Sequence, residues 1–195
     1  MPPVSGLLLT GGRSRRLGTD KAGLVLDGET LAHRAASRLA AVCETVVEVG
    51  PGFTDRPQVS EQPRGAGPLA ALAAGGEALR QLGWDGSVLV LAVDLPNVGV
   101  HLLELVRDWP GAPTVVPEAA GRLQPVCARY GAEAFLAASS LLAGGVRALH
   151  ALLDVCEHDV VSERTWREVA PPDAFADIDT PEDAARLGID LAALR

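Results

Sequence analysis

Apolar runs alternate with helix-forming stretches along most of the chain, and this alternation most limits the fold that the sequence can adopt. Four short runs are almost continuous in apolar residues: 5–10, 45–50, 87–93 and 113–117. Four longer stretches are rich in alanine or leucine and suit helices: 30–41, 68–81, 99–108 and 131–142. Continuous apolar runs are typical of strands buried on both faces. The pattern therefore predicts an α/β fold, with a mostly parallel sheet flanked by helices.

The second half of the chain has a looser pattern. We predict a turn at Gly121-Arg122, a strand from Leu123 to Arg129 and a helix from Gly145 to Asp154. A closing helix is expected from Pro181 to Leu187. These elements predict a small antiparallel addition in the C-terminal half. Near the start of the chain, Asp27-Gly28 predicts a tight hairpin before the first helix.

Composition and charge limit the classes of function. A chain of 195 residues suits a single domain with a sizeable core. Aromatic residues make up only 4% of the chain, so aliphatic side chains and alanine must fill that core. The net charge of −8 argues against non-specific binding to nucleic acid or to an anionic membrane. No apolar run approaches the roughly 20 residues that a membrane-spanning helix needs.

The cysteines and the first residues indicate the compartment. Cys43, Cys127 and Cys156 are odd in number, widely spaced and not accompanied by histidine at ligand spacing. They are typical of buried thiols in a reducing compartment rather than of disulfides or a zinc site. The N-terminal sequence lacks the charged segment of a secretory signal. We therefore expect a cytoplasmic protein.

A cluster of positive charge follows the first apolar run. Four of the seventeen Lys and Arg residues lie between positions 13 and 21, directly after the glycine pair Gly11-Gly12. Paired glycines let backbone N–H groups approach an anion, so the segment predicts a polyphosphate site. A solvated basic loop is the plainer alternative. The P-loop and the dinucleotide fingerprint are both excluded, because five residues separate Gly12 from Gly18 and no G-x-G-x-x-G is present.

Residues 9–21 read Leu-Thr-Gly-Gly-Arg-Ser-Arg-Arg-Leu-Gly-Thr-Asp-Lys. This segment resembles the signature loop of the nucleotidyltransferases, in particular the MobA-type molybdenum cofactor guanylyltransferases. Thr10 and Leu17 stand where those enzymes usually carry Ala and Met. The resemblance extends from Leu7 to about Leu187. It implies a single-domain, Rossmann-like α/β fold. It also implies that the protein uses GTP, magnesium and a pterin acceptor.

Asp94 follows the apolar run 87–93 directly. A carboxylate at the carboxyl end of a buried strand can bind magnesium, which takes one or two carboxylates together with phosphate oxygens. A turn or helix-capping aspartate before Pro96 is the alternative. Val-Asp-Leu-Pro resembles the metal-binding Asp-x-Pro of the family, which favours the metal.

Residues 61–70 contain a helix start with a glycine before a proline, Gly67-Pro68-Leu69-Ala70. The residues alone indicate no more than a good first helical turn. They are similar to the Gly-Pro-Leu-Ala-Gly of the guanylyltransferases. In that family an Asp six residues before this segment helps to hold the nucleotide. Glu61 occupies that position here, and Ala71 replaces the last glycine.

The segment 175–183 resembles the family's Phe-x-Asn-x-Asn-Thr-Pro-x-Asp. Thr180 and Pro181 predict a capped helix start. Asp179 replaces an Asn that lies near the metal in related folds, so it is a candidate second metal ligand.

Residues 124–130 are similar to the family's Gln-Pro-x-x-Ala-x-Tyr and are expected on the acceptor side, although a plain strand also explains them. Gly50 stands where many relatives carry Asn, so any nucleotide contact there must use the backbone.

The resemblance implies transfer of GMP from GTP to molybdopterin-bound molybdenum cofactor, with release of pyrophosphate. Gly11, Gly12 and Arg16 would hold the leaving phosphates, Lys21 would bridge the α- and β-phosphates, and Asp94 would bind Mg²⁺. The nucleotide-binding residues that it implies are Leu9, Thr10, Gly11, Gly12, Lys21, Glu61, Gly67, Pro68, Leu69 and Asp94. Residues 1–117 would form the nucleotide-binding part and residues 118–195 the acceptor-side part.

The expected partners are GTP and the molybdenum cofactor, together with molybdenum-insertion proteins and target molybdoenzymes. Nucleic acid and membranes are not expected partners. Three alternatives stay open at this point. They are a cytidylyltransferase for the same cofactor, a nucleotidyltransferase for another phosphorylated acceptor such as a sugar phosphate or phospholactate, and a catalytically silent nucleotide-binding adaptor.

Overall fold

The computed structural model describes residues 4–11, 17–189 and 191. Its strands are β1 (Val4–Leu9), β2 (Val25–Leu26), β3 (Glu29–Thr30), β4 (Val46–Val49), β5 (Gln58–Val59), β6 (Ser87–Ala92), β7 (Thr114–Ala119), β8 (Arg122–Leu123), β9 (Cys127–Tyr130) and β10 (His158–Val161). Its α-helices are α1 (Leu31–Ala40), α2 (Pro68–Gln81), α3 (Val100–Asp108), α4 (Ala132–Ala143), α5 (His150–Leu153), α6 (Glu163–Trp166) and α7 (Pro181–Arg186). No helix in these described segments has the length and apolar character that a bilayer span requires.

The main sheet has the strand order β10-β7-β9-β6-β1-β4-β5, and β8 pairs with β7 at one end. Strands β6, β1, β4 and β5 run parallel to one another, and β10 is parallel to β7. Strand β9 lies between β6 and β7 and is antiparallel to both. The predicted mostly parallel sheet with an antiparallel addition in the second half is thus confirmed. The hairpin of β2 and β3 at Asp27-Gly28 is also confirmed.

The sheet is covered by helices on both faces. Along β1, Leu7 and Leu9 face a cluster with α2, α4 and α5, whereas Leu8 faces a cluster with α1, α3, α6 and α7. This alternation along each strand explains why the runs are apolar throughout, since both faces are buried. The predicted strands and long helices agree with the structure to within a few residues at each end.

Three predictions in the second half are wrong in their bounds. The expected turn at Gly121-Arg122 lies one residue earlier, at Ala120 and Gly121, and Arg122 already belongs to β8. The expected strand from Leu123 to Arg129 is two short strands, β8 and β9. A further turn joins Cys127 N–H to the Gln124 carbonyl and separates β8 from β9.

The helix expected from Gly145 to Asp154 is only α5, from His150 to Leu153. Helix α4 ends in a pair of bonds from Val146 N–H to the Leu141 carbonyl and from Gly145 N–H to the Leu142 carbonyl. This arrangement ends a helix and turns the chain away, so Gly145 cannot start a new helix. Strands β5 and β10 and helix α6 were not predicted, since all three are short.

Helix α2 packs unusually close to its neighbours through two glycines. A Cβ atom added to Gly75 would lie 2.7 Å from both Leu7 Cδ atoms and 2.8 Å from Val49 Cγ2. A Cβ atom added to Gly76 would overlap the ring of Phe135 on α4, which also packs edge-on against Trp84. The helix therefore approaches both the sheet and α4 at a distance that only glycine allows.

We predict that Gly76→Ala lowers the free energy of unfolding, measured with urea, by about 1–3 kcal/mol, because the rigid Phe135 ring must move. The same change at an unconstrained helical site stabilises by about 1 kcal/mol. Ser37→Ala on the exposed side of α1 serves as the control for alanine substitution in a helix. A Gly76→Ala protein more stable than wild type would contradict the close packing.

Candidate active site

Four parallel strands end at one edge of the sheet, and each is followed there by a residue of interest. The strands lie side by side in the order β5, β4, β1, β6. Glu61 follows β5, Gly50 follows β4, Gly11 follows β1 and Asp94 follows β6. Ligands of open α/β sheets bind at the carboxyl ends of the strands. The sheet therefore places these four segments along one candidate binding edge.

Lys21 is held at this edge by the apolar residues beside it. It begins a short 3-10 turn, Lys21–Gly23, in which Ala22 is buried. Leu24, fully buried, follows the turn and donates its N–H to the Lys21 carbonyl at 3.0 Å. Burial of Ala22 and Leu24 fixes the backbone and leaves the ammonium to project. Lys21 is the only lysine in the sequence.

The Lys21 ammonium contacts two carboxylates. Its Nζ donates to Asp179 Oδ1 at 2.5 Å and to Asp94 Oδ2 at 3.4 Å. The Lys21 side chain is only 14% exposed, whereas that of Asp179 is 51% exposed. The structure thus brings together three of the predicted site residues from distant parts of the chain.

Burial and pairing act on these groups in opposite directions. Burial alone would lower the pKa of Lys21, but its bonds to Asp179 and Asp94 outweigh burial and raise that pKa above its usual value. Burial raises the pKa of Asp94, and the nearby ammonium only partly offsets this effect. Lys21 is therefore held charged, and Asp94 lies where additional positive charge is favourable.

One oxygen of Asp94 lacks a partner. Its Oδ1 is buried and accepts no hydrogen bond from any residue that the structure describes. A buried oxygen of this kind needs a donor or a cation. No cluster of three or more His, Cys, Asp or Glu side chains suited to a metal occurs in residues 4–11, 17–189 and 191. Two carboxylates without a third ligand suit Mg²⁺, which commonly takes its other ligands from phosphate and water.

The C-terminal segment docks on β6 and so delivers Asp179. Ile178 is fully buried and donates its N–H to the Asp94 carbonyl at 3.2 Å. The next helix, α7, begins with the predicted capping interactions, in which Asp183 Oδ2 accepts from the N–H groups of Asp179 and Thr180. Asp179 therefore lies between a buried anchor and a fixed helix start.

Gly11 and Glu61 lie next to each other, as the predicted nucleotide site requires. A Cβ atom at Gly11 would be 4.0 Å from Glu61 Oε1, 3.8 Å from the Val49 carbonyl oxygen and 3.9 Å from Gly50 Cα. Glu61 is 9% exposed, and its Oε1 accepts from Gly65 N–H at 2.8 Å. The space in front of Gly11 is thus bounded by backbone and by one carboxylate.

The remaining predicted nucleotide-binding residues that the structure describes can contact a nucleotide only through their backbone or through small side-chain surfaces. Leu9 and Leu69 are buried in the core below α2, and the Leu9 carbonyl accepts from Val93 N–H. Gly67 precedes α2 with a φ of 99°, and a Cβ there would be 3.2 Å from the Arg147 carbonyl oxygen. Pro68 occupies the first helical turn as predicted. Gly12 and Arg16, both predicted phosphate ligands, lie outside the described residues.

Thr10 makes a contact that the sequence analysis missed. Its hydroxyl donates to Glu48 Oε1 at 2.6 Å, and Glu48, in the middle of β4, is completely buried. The carboxylate also accepts from the N–H groups of Gly52, Phe53 and Thr54 and from the Thr54 hydroxyl. A single charged residue inside the apolar run 45–50 was the available signal for this cluster.

We predict that Glu48→Gln lowers the free energy of unfolding near pH 7 by about 3 kcal/mol, because five donors lose a charged acceptor. Burial would raise the pKa of Glu48, but the bonds from Thr10, Phe53 and Thr54 outweigh burial and lower it. The charge thus stabilises the fold above about pH 4.3, and the stabilisation disappears as the pH falls through the lower value of the folded state.

Urea unfolding of wild type and Glu48→Gln at several pH values measures this effect. The difference between the two proteins should be complete at neutral pH and shrink in acid. Glu44→Gln, at an exposed carboxylate just before β4, is the control. A difference that is constant with pH would show that the Glu48 charge contributes nothing.

Comparisons with known proteins show the family to which this chain belongs. The family model described as the MobA-like NTP transferase domain matches residues 6–160. A probable molybdenum cofactor guanylyltransferase of Opitutus terrae is 35% identical, over 94% of this chain and 94% of that protein. A protein of the same name from Chloroflexus aggregans is 31% identical, over 92% of this chain and 91% of its own length.

A crystal structure has a similar fold. It is titled molybdopterin-guanine dinucleotide biosynthesis protein A from Archaeoglobus fulgidus, and it superposes with a TM-score of 0.78 at 22% identity, covering 94% of this chain and 96% of that one. The family model covers most of the chain. The chain belongs to the MobA-like NTP transferase family.

Proposed function

We propose that this protein transfers GMP from GTP to the phosphate of molybdopterin-bound molybdenum cofactor and releases pyrophosphate. The observation that carries the proposal is the Lys21 ammonium, which contacts Asp94 and Asp179 at the edge of the sheet where β1 and β6 end. The names of the curated relatives support GTP and the molybdenum cofactor as the two substrates.

The reaction needs alignment and charge more than acid–base chemistry. An oxygen of the acceptor phosphate attacks the α-phosphorus of GTP and forms a new P–O bond. The bond from the α-phosphorus to the oxygen that bridges to the β-phosphate breaks, and pyrophosphate leaves with the electron pair. The acceptor phosphate is largely ionised at neutral pH. No side chain therefore has to remove a proton, and the site acts by positioning and neutralising phosphates.

Lys21 would supply the fixed positive charge. Its ammonium contacts two carboxylates, and the half-exposed Asp179 is the partner that phosphate oxygens would displace most easily. Lys21 would then bridge the α- and β-phosphates, with Gly11, Gly12 and Arg16 around the leaving pyrophosphate. A charge that is already fixed before the substrate binds costs no reorganisation during the reaction.

Asp94 and Asp179 would hold a magnesium ion, which supplies positive charge to the triphosphate when it is bound. The unpartnered Asp94 Oδ1 is the atom that such an ion would satisfy. Asp94 otherwise keeps Lys21 charged, and its backbone carbonyl anchors the C-terminal segment.

The guanosine would lie against Gly11 and the helix start at Gly67, with Glu61 at its side. Leu9, Thr10, Pro68 and Leu69 complete the proposed nucleotide site, mainly through their backbone. We assign the nucleotide to residues 1–117 and the acceptor to residues 118–195. Molybdenum-insertion proteins and target molybdoenzymes are the proposed protein partners, and the cytoplasm is the proposed compartment.

We expect Lys21→Ala to lower turnover by about 100-fold or more, because one fixed charge at the reacting phosphates is lost. Release of pyrophosphate from GTP and purified molybdenum cofactor measures the effect. Thermal stabilisation by each nucleoside triphosphate with Mg²⁺ reports selectivity, and GTP should stabilise most. Because Lys21 is the only lysine, an amine-selective reagent can label no other side chain amine, and peptide mapping separates this label from that of the α-amino group. GTP with Mg²⁺ should protect Lys21 from the reagent.

Other outcomes would count against specific parts of the proposal. Equal stabilisation by CTP and GTP would overturn the assignment of guanine as the base. Binding of GTP without pyrophosphate release would indicate a silent nucleotide-binding protein. A loss of turnover below about threefold in Lys21→Ala would remove Lys21 from the reaction, since a charge at the phosphates is worth far more.

We predict different magnesium dependences for the two carboxylates. Asp94→Asn should lower turnover by about 100-fold, because a charged ligand with a buried, unpartnered oxygen is lost. Asp179→Asn should raise the Mg²⁺ concentration needed for half-maximal rate and leave more of the turnover. Titration of Mg²⁺ in the pyrophosphate assay measures both effects. Asp177→Asn, at the exposed carboxylate two residues before Asp179, is the matched control, and an equal effect there would contradict a specific role for Asp179.

A further inference from the structure

Glu48 is a buried charge that the proposed reaction does not use. It lies in β4, is 0% exposed, and its carboxylate accepts five hydrogen bonds. An ionised carboxylate without solvent is unfavourable unless its partners are complete. The five donors therefore stabilise the ionised form of Glu48, and the segments to which they belong indicate what this residue does.

The five donors belong to two separate segments. One is the hydroxyl of Thr10, which immediately precedes Gly11 at the end of β1. The other four belong to the loop after β4, in Gly52, Phe53 and Thr54. Glu48 thus ties the first residue beyond β1 to the loop beyond β4. It fixes the separation between the end of β1, next to Gly11, and the loop that follows β4.

The segments are too closely packed to move independently. Gly50 has a φ of 153°, and a Cβ atom there would overlap Thr10 Oγ1 and lie 2.8 Å from Gly11 N. Gly11 N–H itself bonds to the Val49 carbonyl at 3.3 Å. A shift of the loop would therefore reach Thr10 and then the backbone of Gly11.

The loop also contacts the turn that carries Lys21. A Cβ atom at Gly23, two residues after Lys21, would lie 3.6 Å from Phe53 Cε1. The Phe53 ring is partly buried against the same core cluster as Ala22 and Leu24. Glu48 accepts a hydrogen bond from Phe53 N–H and so constrains the residue that packs against the Lys21 turn. Glu48 is thereby linked to both elements that would contact the triphosphate, the segment at Gly11 and the turn at Lys21.

We propose that Glu48 is a positioning residue for the nucleotide: it touches no substrate, but it fixes Gly11 and the loop 50–54 at the spacing that GTP requires. This role rests on the proposed function, since it takes GTP as the ligand at Gly11. It predicts an effect on GTP that does not extend to the acceptor, because the donors of Glu48 all lie in the nucleotide-binding part.

The test measures kcat and separate KM values for GTP and for the molybdenum cofactor. Glu48→Gln should raise the KM for GTP about tenfold, because its amide group would oppose backbone N–H donors that now meet a carboxylate. The KM for the acceptor should stay as in wild type. A purely structural role would lower the amount of active protein, and hence kcat, while leaving both KM values unchanged.

Thr54 gives a matched pair of milder variants that fold if Glu48→Gln does not. Thr54→Val removes the hydroxyl that donates to Glu48 Oε2 at 2.7 Å and accepts from Arg56 N–H at 3.3 Å, and it keeps the shape of the side chain. It should raise the KM for GTP about threefold, because only part of the free energy of the lost bonds is expressed in nucleotide binding. Thr54→Ser keeps the hydroxyl and should behave as wild type. Equal KM values for GTP in the Val and Ser variants would overturn the proposal.

A second measurement separates this inference from the proposed function. Amide NMR signals of Gly11 and Gly23 should shift in Thr54→Val relative to Thr54→Ser, whether or not GTP is a substrate. Unchanged signals would overturn the positioning role. Wild-type protein that neither binds GTP nor releases pyrophosphate would instead overturn the proposed function, and the signals of Gly11 and Gly23 would still decide the coupling.

Discussion

The ion pairs of Lys21 with Asp94 and Asp179 are the contacts on which this edge of the molecule depends. They join residues that are 73 and 158 positions apart in the sequence. Neither pair is held by its own charge alone, because an ion pair that is partly buried must first offset the cost of removing its charges from water. Leu24 on one side and Ile178 on the other bury apolar surface and bring the charged groups together. The hydrophobic core thus determines the spacing of the charges.

The same principle applies to Glu48 on the other side of Gly11. A charge inside the sheet is tolerated because five donors surround it, and the donors come from segments that the sheet has already brought close. Position 50 must then be glycine, since a side chain would collide with Thr10. Thr10 and Gly50, two of the departures from the family pattern, therefore belong to one packing arrangement.

Much of the fold and part of the site could be predicted from the sequence. The strands could be predicted because their runs are apolar throughout. Asp94 could be placed at the carboxyl edge of the sheet because it follows such a run directly. The partners of Glu48 could not be predicted, because they depend on which loop returns to β4 after folding. The prediction made helix α5 too long, because a glycine at this point in a sequence can either end one helix or precede the next. The bonds of Gly145 N–H and Val146 N–H show that Gly145 ends α4. Short elements such as α6 depend on tertiary packing of Trp166 rather than on local pattern.

The order in which the chain is synthesised has a consequence for the edge that Asp179 completes. All strands of the main sheet precede residue 162, whereas Ile178 and Asp179 follow the exposed segment Pro171-Pro172-Asp173. A growing polypeptide can therefore assemble its whole sheet while Lys21 still lacks its nearest carboxylate. For the same reason, one cut by a protease in that exposed segment would break the covalent link between Asp179 and the sheet without severing a strand. Asp179 would then be held only by non-covalent contacts such as the bond of Ile178 N–H to the Asp94 carbonyl.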